Sequence, residues 1–586
     1  MINQTTPWNR RPACVPSTQL VTAGLLAFTL CAGGCMSNPF KQGPLDTHTV
    51  ATKDRLHNIG VFQLQRAPDD ASSNSQSQLV QAQADYADVE SLDLSLSDAR
   101  TAALANNLGL SATLIAPEIA NQRVNQERAA FDSVFTLAAS WADTDAPTSS
   151  TLVGSQSRNQ SIAPGIRIPL MTGGTVTVSA PVNRFSSNNT FSTLNPAWTT
   201  DLEISLSHNL LRGAGRRATT HALRLADLDR QTSLAQTKLE VIRILADVDR
   251  AYWRLYASTK ALEVVEQQYT VAQTQLESAQ RKRQAGTGTE VDVVRAQSGL
   301  ADRVESIILA QNDVKLQQRT LKQLINMPGL SVDTTTRLLP DSTPDPVEYL
   351  YDLESLTSSA VDNRMEMLEL EIQLARQAAA IGFAENQKLP LVALNYTYRV
   401  NGLAGSLGNS YDVLAQNEFE DWSVGLNAEF PLGNEAAKAS LAQAILSRLQ
   451  SLASRDAREQ AITTEILNAV DNLQSTWHRI LASQESVLLN ARLLAAEKRQ
   501  FDVGRSTSTI VLDADANLAN ARLAEIRAIV DYQIAQIDLA VASGTLLGQA
   551  KVEWNTDPKL LGDDSRAKAN DGVTPYKPGS GIWTNP

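Results

Sequence analysis

Apolar residues recur along this chain in two rhythms, one of three and four residues and one of two. From Val241, the positions Leu245, Val248, Tyr252, Leu255, Leu262, Val265, Tyr269, Ala272, Leu276 and Ala279 follow at steps of three, four or seven. A 3.5-residue repeat marks a helix that packs along a narrow seam against other helices. The spacing predicts one helix over about 219–283, roughly 95 Å long at about 1.5 Å per residue. A return helix carries Leu300, Val304, Ile307, Val314 and Leu321 on its stripe and is predicted to stop at Pro328-Gly329. Between the two, RKRQAGTGTEVDVVRAQ breaks at Gly286. The same design recurs later. A helix over about 436–500, with Ile466, Val470, Leu473, Trp477 and Ile480 on its seam, reaches FDVGRSTSTIVLDADANLANAR, which breaks at Gly504. It leaves as a second helix with Leu523, Ile526, Val530, Ile534, Ile537 and Val541 on one stripe. Two long helical hairpins with similar tips are therefore expected.

The period of two appears in shorter runs. Phe135, Leu137, Ala139 and Trp141 alternate with polar or small residues, as do Leu202, Ile204 and Leu206. In the second half LPLVALNYTYRVN and DWSVGLNAEFPLG behave alike, the first with Val392, Leu394, Tyr396, Tyr398 and Val400 on its apolar face and the second with Trp422, Val424, Leu426, Ala428 and Phe430 on its own. IRIPL and TVTVSAPV, around Gly173-Gly174, are strand-like and read as an additional hairpin, either in the sheet or outside it. A helix is predicted from Ser91, capped by Ser97 and broken at Pro117. Its counterpart follows Asp352, with Asn363 standing where Asn107 stands in the first half. The chain thus divides into a first repeat (91–330), a connector (331–351) and a second repeat (352–548), flanked by a polar arm (36–90) and a polar tail (549–586). Asn107 to Asn363 is 256 residues, whereas Gly286 to Gly504 is 218. The difference falls between the strands, where Val134 to Gly213 spans 79 residues and Leu391 to Gly433 spans 42.

At 586 residues the chain exceeds a usual single core, and uninterrupted periodicity points to an elongated body. A net charge of -12 argues against nucleic acid as a partner, because phosphate binding needs a basic face. Aromatics at 5% suit coiled coils better than an enzyme. The cysteines, Cys14, Cys31 and Cys35, all lie near the start. Arg10-Arg11, an apolar run from Leu20 to Cys31 and then Ala32-Gly33-Gly34-Cys35 read as a lipoprotein-type signal (1–35), with Cys35 the lipid-bearing residue. An ordinary signal cut elsewhere, or a buried helix, stays open.

Strands with one apolar and one polar face, delivered to the cell envelope, suit a barrel wall with lipid outside and water inside. A soluble sheet packed on helices would alternate in the same way. Four wall strands cannot close, and an open edge is not tolerated in hydrocarbon, so several copies must share one barrel.

The two-fold repeat, the strand pairs, and above all FDVGRSTSTIVLDADANLANAR and RKRQAGTGTEVDVVRAQ resemble the TolC-like outer membrane factor (outer membrane efflux protein) family. The resemblance implies a mixed α and β fold: a trimeric α-helical coiled-coil tunnel joined to a transmembrane β-barrel of twelve strands, four per chain. It implies an outer membrane exit duct of a tripartite efflux system, passing small molecules from the periplasm to the exterior. The implied partners are two further copies, a periplasmic adaptor (membrane fusion) protein, an inner-membrane RND or ABC transporter and outer membrane lipid. No cofactor or metal is implied. The lipid on an N-terminal cysteine of many members matches Cys35. Carried over by position, Gly286 and Gly504 match the tip glycines, with Thr287 beside the first. Asp513 matches a carboxylate ringing the constriction, while the position three earlier, acidic in the family, is Ile510. Phe501 replaces a gate tyrosine. The gate arginine position is Ser506, with Arg505 adjacent and expected to reach Asp292, the counterpart of an acidic latch residue.

Other classes find less support. His48, His57, His208, His221 and His478 show no zinc-ligand spacing. Gly286-Thr287-Gly288 lacks the later glycine and preceding strand of a nucleotide loop, and Asp513, Asp515 and Asn517 lack the central glycine of a calcium loop. A type I protein secretion duct uses the same body, and a periplasmic coiled-coil scaffold or adaptor would need the helices without the amphipathic strands.

Overall fold

The structure is a computed structural model and describes residues 90–149, 153–503 and 505–552. The signal with Cys35, the arm before residue 90, Gly504 and the tail beyond residue 552 lie outside the described residues.

The chain opens with a short strand that sequence periodicity did not foretell. β1 (Ser91–Leu94) pairs in parallel with a strand of the connector, Arg337–Pro340, in the register Ser91 to Arg337. Leu94 and Leu338 are buried there, and the Tyr252 hydroxyl donates to Leu94 O while accepting from Ser342 N, both at 2.9 Å. The first helix therefore starts later than expected. α1 (Leu96–Asn106) is capped by Ser95, not Ser97, because the Ser95 hydroxyl is the one placed to accept from Asp98 N. α2 (Leu108–Thr113) begins at Asn107, whose side chain accepts from Leu110 N and donates to Leu324 O. α3 (Ala116–Ala129) restarts with Pro117 in its first turn, where a missing N–H costs nothing.

The strands that follow are β2 (Val134–Asp145), β3 (Gln156–Leu170), β4 (Gly174–Ser179), β5 (Val182–Ser187) and β6 (Ala197–Asn209). α4 (Arg216–Thr219) leads to the long helix α5 (His221–Gln284), which returns as α6 (Glu290–Ile325) and stops at a left-handed Asn326. The connector holds β7 (Arg337–Pro340). The second half runs α7 (Leu353–Asn363), α8 (Met365–Gln387), β8 (Leu391–Ala404), α9 (Leu407–Gln416), β9 (Glu420–Glu429), α10 (Glu435–Asp502), α11 (Ser508–Ala542) and α12 (Leu546–Gln549). The joint equivalent to Asn107 is Arg364, not Asn363. Arg364 is the N-cap residue of α8, and its nearly buried guanidinium bonds Glu366 and Glu465 in place of a side-chain cap.

The seam read from the sequence is the core. Val241, Leu245, Val248, Tyr252 and Leu255 are all 0–1% exposed and pack with Ile307, Val314 and Leu321 of α6. At about 1.5 Å per residue, the 64 residues of α5 reach roughly 96 Å. In the second half Ile466, Val470, Leu473 and Ile480 of α10 are buried, the last two against Tyr532 and Ala535 of α11.

The large sheet differs from the expected four wall strands. Its order is β2-β3-β4-β6-β8-β9, all antiparallel, with β5 sharing the lane of β4 between β3 and β6. Pro181 separates β4 from β5, since it brings no N–H to a ladder. Its carbonyl still accepts from Asp201 N at 3.0 Å, and Ala180 N donates to Pro164 O at 2.9 Å, so the lane continues across the break. IRIPL and TVTVSAPV therefore lie inside the sheet. At the turn between β3 and β4, Gly173 (φ +100) meets Gly213 O so closely that a Cβ would collide with it.

Candidate functional site

The tips of the two hairpins lie beside one another. At the first, α5 carries Arg281, Lys282 and Arg283 in its last turn, where cations complement the helix dipole. Gly286 then adopts φ +74 in open space, so the conformation and not crowding asks for glycine. Lys282 O accepts from Thr287 N (2.9 Å), Gly288 N (3.0 Å) and the Thr287 hydroxyl (3.1 Å), which satisfies a helix-end carbonyl. Thr289 and Asp292 then form a capping box at the start of α6. The Asp292 carboxylate accepts from Thr289 N at 3.1 Å and from the Thr289 hydroxyl at 2.7 Å, and these bonds hold its pKa below the usual carboxylate value. Arg283 closes the turn on Glu290 at 2.7 Å.

At the second tip, Arg505 N donates to Gln500 O at 2.8 Å and the Ser506 hydroxyl donates to Glu497 at 2.8 Å. Phe501 packs beside Leu494, Val511, Ala514 and Leu518. Its ring also faces the first tip: Lys282 Nζ stands 3.4 Å from the ring centroid. Nearer the tips Gln275 Nε2 also bonds Ser508 Oγ at 2.7 Å and Arg522 Nη1 bonds Gln267 Oε1 at 2.8 Å, and farther along the hairpins Arg250 pairs with Asp538 at 2.7 Å.

The expected pairing of Arg505 with Asp292 differs from what is found. Asp292 is occupied by Thr289, Arg505 is exposed, and among the described residues no ion pair joins them. At the tips themselves, the cation that reaches across within the chain is Lys282, over the Phe501 ring. The sequence signals for this were the RKR run before Gly286 and the Thr289-x-x-Asp292 pattern, neither of which points across to Phe501 by itself. Asp513 is exposed one turn beyond Ile510, itself 45% exposed, so both present to the open side of α11. Asp515, two residues on, turns to the packed side and is buried. Burial raises its pKa, opposed by Lys498, Arg303 and Arg522.

Away from the tips, the sheet has two unlike faces. Phe135, Leu137, Trp141, Trp422, Val424 and Leu426 are each more than half exposed on one of them. The other carries pairs such as Arg399 with Glu203 at 2.6 Å. Among the described residues no helix is long and apolar enough to cross a membrane.

A family model described as "Outer membrane efflux protein" matches residues 175–327 and 356–545. The outer membrane protein TolC of Vibrio cholerae is 24% identical over 324 residues, covering 54% of this chain and 71% of that protein. The pyoverdine export outer membrane protein OpmQ of Pseudomonas putida is 23% identical over 365 residues, covering 61% and 71%. Among solved structures, the outer-membrane channel OprN superposes with a TM-score of 0.56 at 18% identity, over 77% of this chain and 90% of that one. CusC does so with 0.57 at 16% identity, over 78% and 93%.

Proposed function

Because this chain belongs to the outer membrane efflux protein family, a family of channels and not of enzymes, we propose that it is the outer membrane exit duct of a tripartite efflux system. Three copies close the sheets into a membrane wall and the hairpins into a periplasmic tunnel. A periplasmic adaptor grips the exposed tips and couples them to an inner-membrane RND or ABC transporter. Small molecules are the proposed cargo, in keeping with relatives named for pyoverdine export and solvent efflux. A lipid on Cys35 anchors the mature chain, the repeats 91–330 and 352–548 form the duct, and most of it lies in the periplasm.

One observation carries this reading. A sheet with an exposed apolar face and, among the described residues, two unpaired edges is joined to a helix of about 96 Å by length, a combination that a single soluble chain has no means to bury. Within the duct, Gly286 and Gly504 turn the tips, Thr287 and Asp292 stiffen the first, and Phe501 holds it to the second through Lys282. Arg505 is offered to the adaptor, and Asp513 from three chains forms an anionic constriction with Ile510 beside it.

Detergent extraction from the outer membrane, heat-modifiable trimers and conductance in planar bilayers are the expected results. A water-soluble monomer without conductance would overturn the assignment. Asp513→Ala is expected to weaken cation selectivity and divalent block. Unchanged values would remove Asp513 from the constriction.

A further inference from the structure

Among the described residues the sheet contributes six lanes per chain. One row crosses it without interruption: Phe135, Ile166, Val178, Ile204, Tyr398 and Trp422 are successive cross-strand partners. The adjacent row, on the opposite face, is Thr136, Gly165, Ser179, Glu203, Arg399 and Asp421. A hairpin folded outside the sheet would have no reason to keep its apolar residues in phase with those of β2 and β6. Here β3, β4 and Val182 of β5 keep that phase, with Arg184 and Phe185 of β5 departing from it near the far end of the lane, and β3 and the β4/β5 lane are hydrogen-bonded on both sides, so β2 and β6 are not neighbours. The family-model match begins at residue 175, which leaves β2 and β3 outside it.

Among the described residues the edges left unpaired are β2 and β9, each exposed along its whole length. With six alternating lanes these edges run in opposite directions, so β2 of one copy meets β9 of the next as an antiparallel pair. Hydrocarbon tolerates no open edge, and the same sheet from a second copy supplies the missing partner.

We infer that the membrane wall has eighteen lanes, six from each of three copies, and that residues 156–187 form part of it. This rests on the trimeric duct reading above. Diameter grows with lane number. At a lane spacing of about 4.8 Å and a tilt of about 40°, eighteen lanes give a backbone diameter of roughly 36 Å, against roughly 24 Å for twelve. The outer opening is then about 1.5-fold wider than a twelve-lane wall of the same tilt. A mouth of that width does not sieve small molecules, so discrimination falls to the helical tips, and the wall passes bulky cargo without rearrangement.

The test is cryo-electron microscopy of the full-length protein, extracted and held in lipid nanodiscs, with the lanes counted. Eighteen lanes, with β2 of one copy on β9 of the next, is the expected result. A closed wall of twelve lanes with residues 156–187 outside it overturns the inference and leaves the duct reading standing. Failure to form any closed wall overturns the duct reading itself, and this inference with it. Spin labels at Val178→Cys and Thr177→Cys, compared with unsubstituted protein, give an independent readout. The label at 178 is expected to collide with oxygen in lipid and that at 177 with an aqueous nickel chelate. Aqueous exposure at both positions would overturn the placement in the wall.

Discussion

The contact between Lys282 and Phe501 is the link between hairpins that substitution tests most directly. Phe501→Leu keeps an apolar side chain against Leu494 and Leu518 but removes the ring over which the ammonium stands at 3.4 Å. An ammonium over an aromatic face at an exposed site contributes about 0.5–1 kcal/mol. If three tips open together, the loss is about 1.5–3 kcal/mol per ring of copies, roughly a 10- to 150-fold shift toward the open state. The assay is the open fraction of single channels in planar bilayers. Lys282→Gln is expected to open the duct to a similar degree, and the double variant little further, because both remove one interaction. Phe501→Tyr keeps the ring and is expected to stay closed. Opening by Phe501→Leu with no effect of Lys282→Gln would assign the role of Phe501 to packing alone. Fully additive effects would show that the two side chains are not coupled.

Asp515 ionises with difficulty because it is buried, so its folded pKa lies above the ordinary 3.8. A raised carboxylate pKa means the folded state holds the proton more tightly, so its penalty is absent at low pH and fully present above the folded value. Asp515→Asn is therefore expected to leave thermal stability at pH 7 unchanged or improved, and to remove the decline that sets in as the pH rises above the ordinary carboxylate value. A large loss would show that Lys498 and Arg303 more than compensate the burial. Arg100 holds the fully buried Asp249 through two bonds, at 2.7 and 2.8 Å. Arg100→Ala strands that carboxylate and is expected to cost about 3–5 kcal/mol in denaturant unfolding, with part recovered by adding Asp249→Asn. Burial already raises the Asp249 pKa despite Arg100, so the variant is expected to regain stability as the pH falls. Gly286→Ala places a Cβ at φ +74, in open space, and is expected to cost about 1–2 kcal/mol. Faster amide exchange over residues 282–289 would report that strain.

The helices were legible because their burial follows a single period over tens of residues. Val241, Leu245, Val248 and Tyr252 fall on the seam by spacing alone, and each is fully buried. The tip geometry was half legible. Gly286 marks a left-handed residue, and Thr289 with Asp292 spells a cap, but contact between Lys282 and Phe501 depends on how two sequence-distant hairpins lie together. β1 and β7 escaped notice for a related reason. Each is four residues long, and their pairing joins the start of the first repeat to the connector. So short a run gives alternation little room to register. Ser95 and Ser97 are equally good caps by type, and where β1 ends decides between them.

The strands of the large sheet show where periodicity stops being informative. A period of two assigns each residue to a face, and it did so correctly for Phe135, Ile204, Tyr398 and Trp422. It says nothing about which strand lies next to which, since two strands of the same phase are compatible as neighbours whether or not others come between them. Lane order is fixed by turns and main-chain bonds: the tight turn at Gly173 that folds β4 onto β3, and the bonds from Ala180 N and to Pro181 O that carry one lane across a proline break. Pro164, Pro169 and Pro181 also interrupt the alternation of this segment, so its local signal is weaker than that of β8. The surplus of residues between Val134 and Gly213 was visible in the sequence, and at about 3.3 Å per residue it is enough chain for two further crossings of a wall about 25 Å tall. A count of residues allows those crossings. What places them in the sheet is that each added lane finds partners on both sides and keeps its apolar row in step.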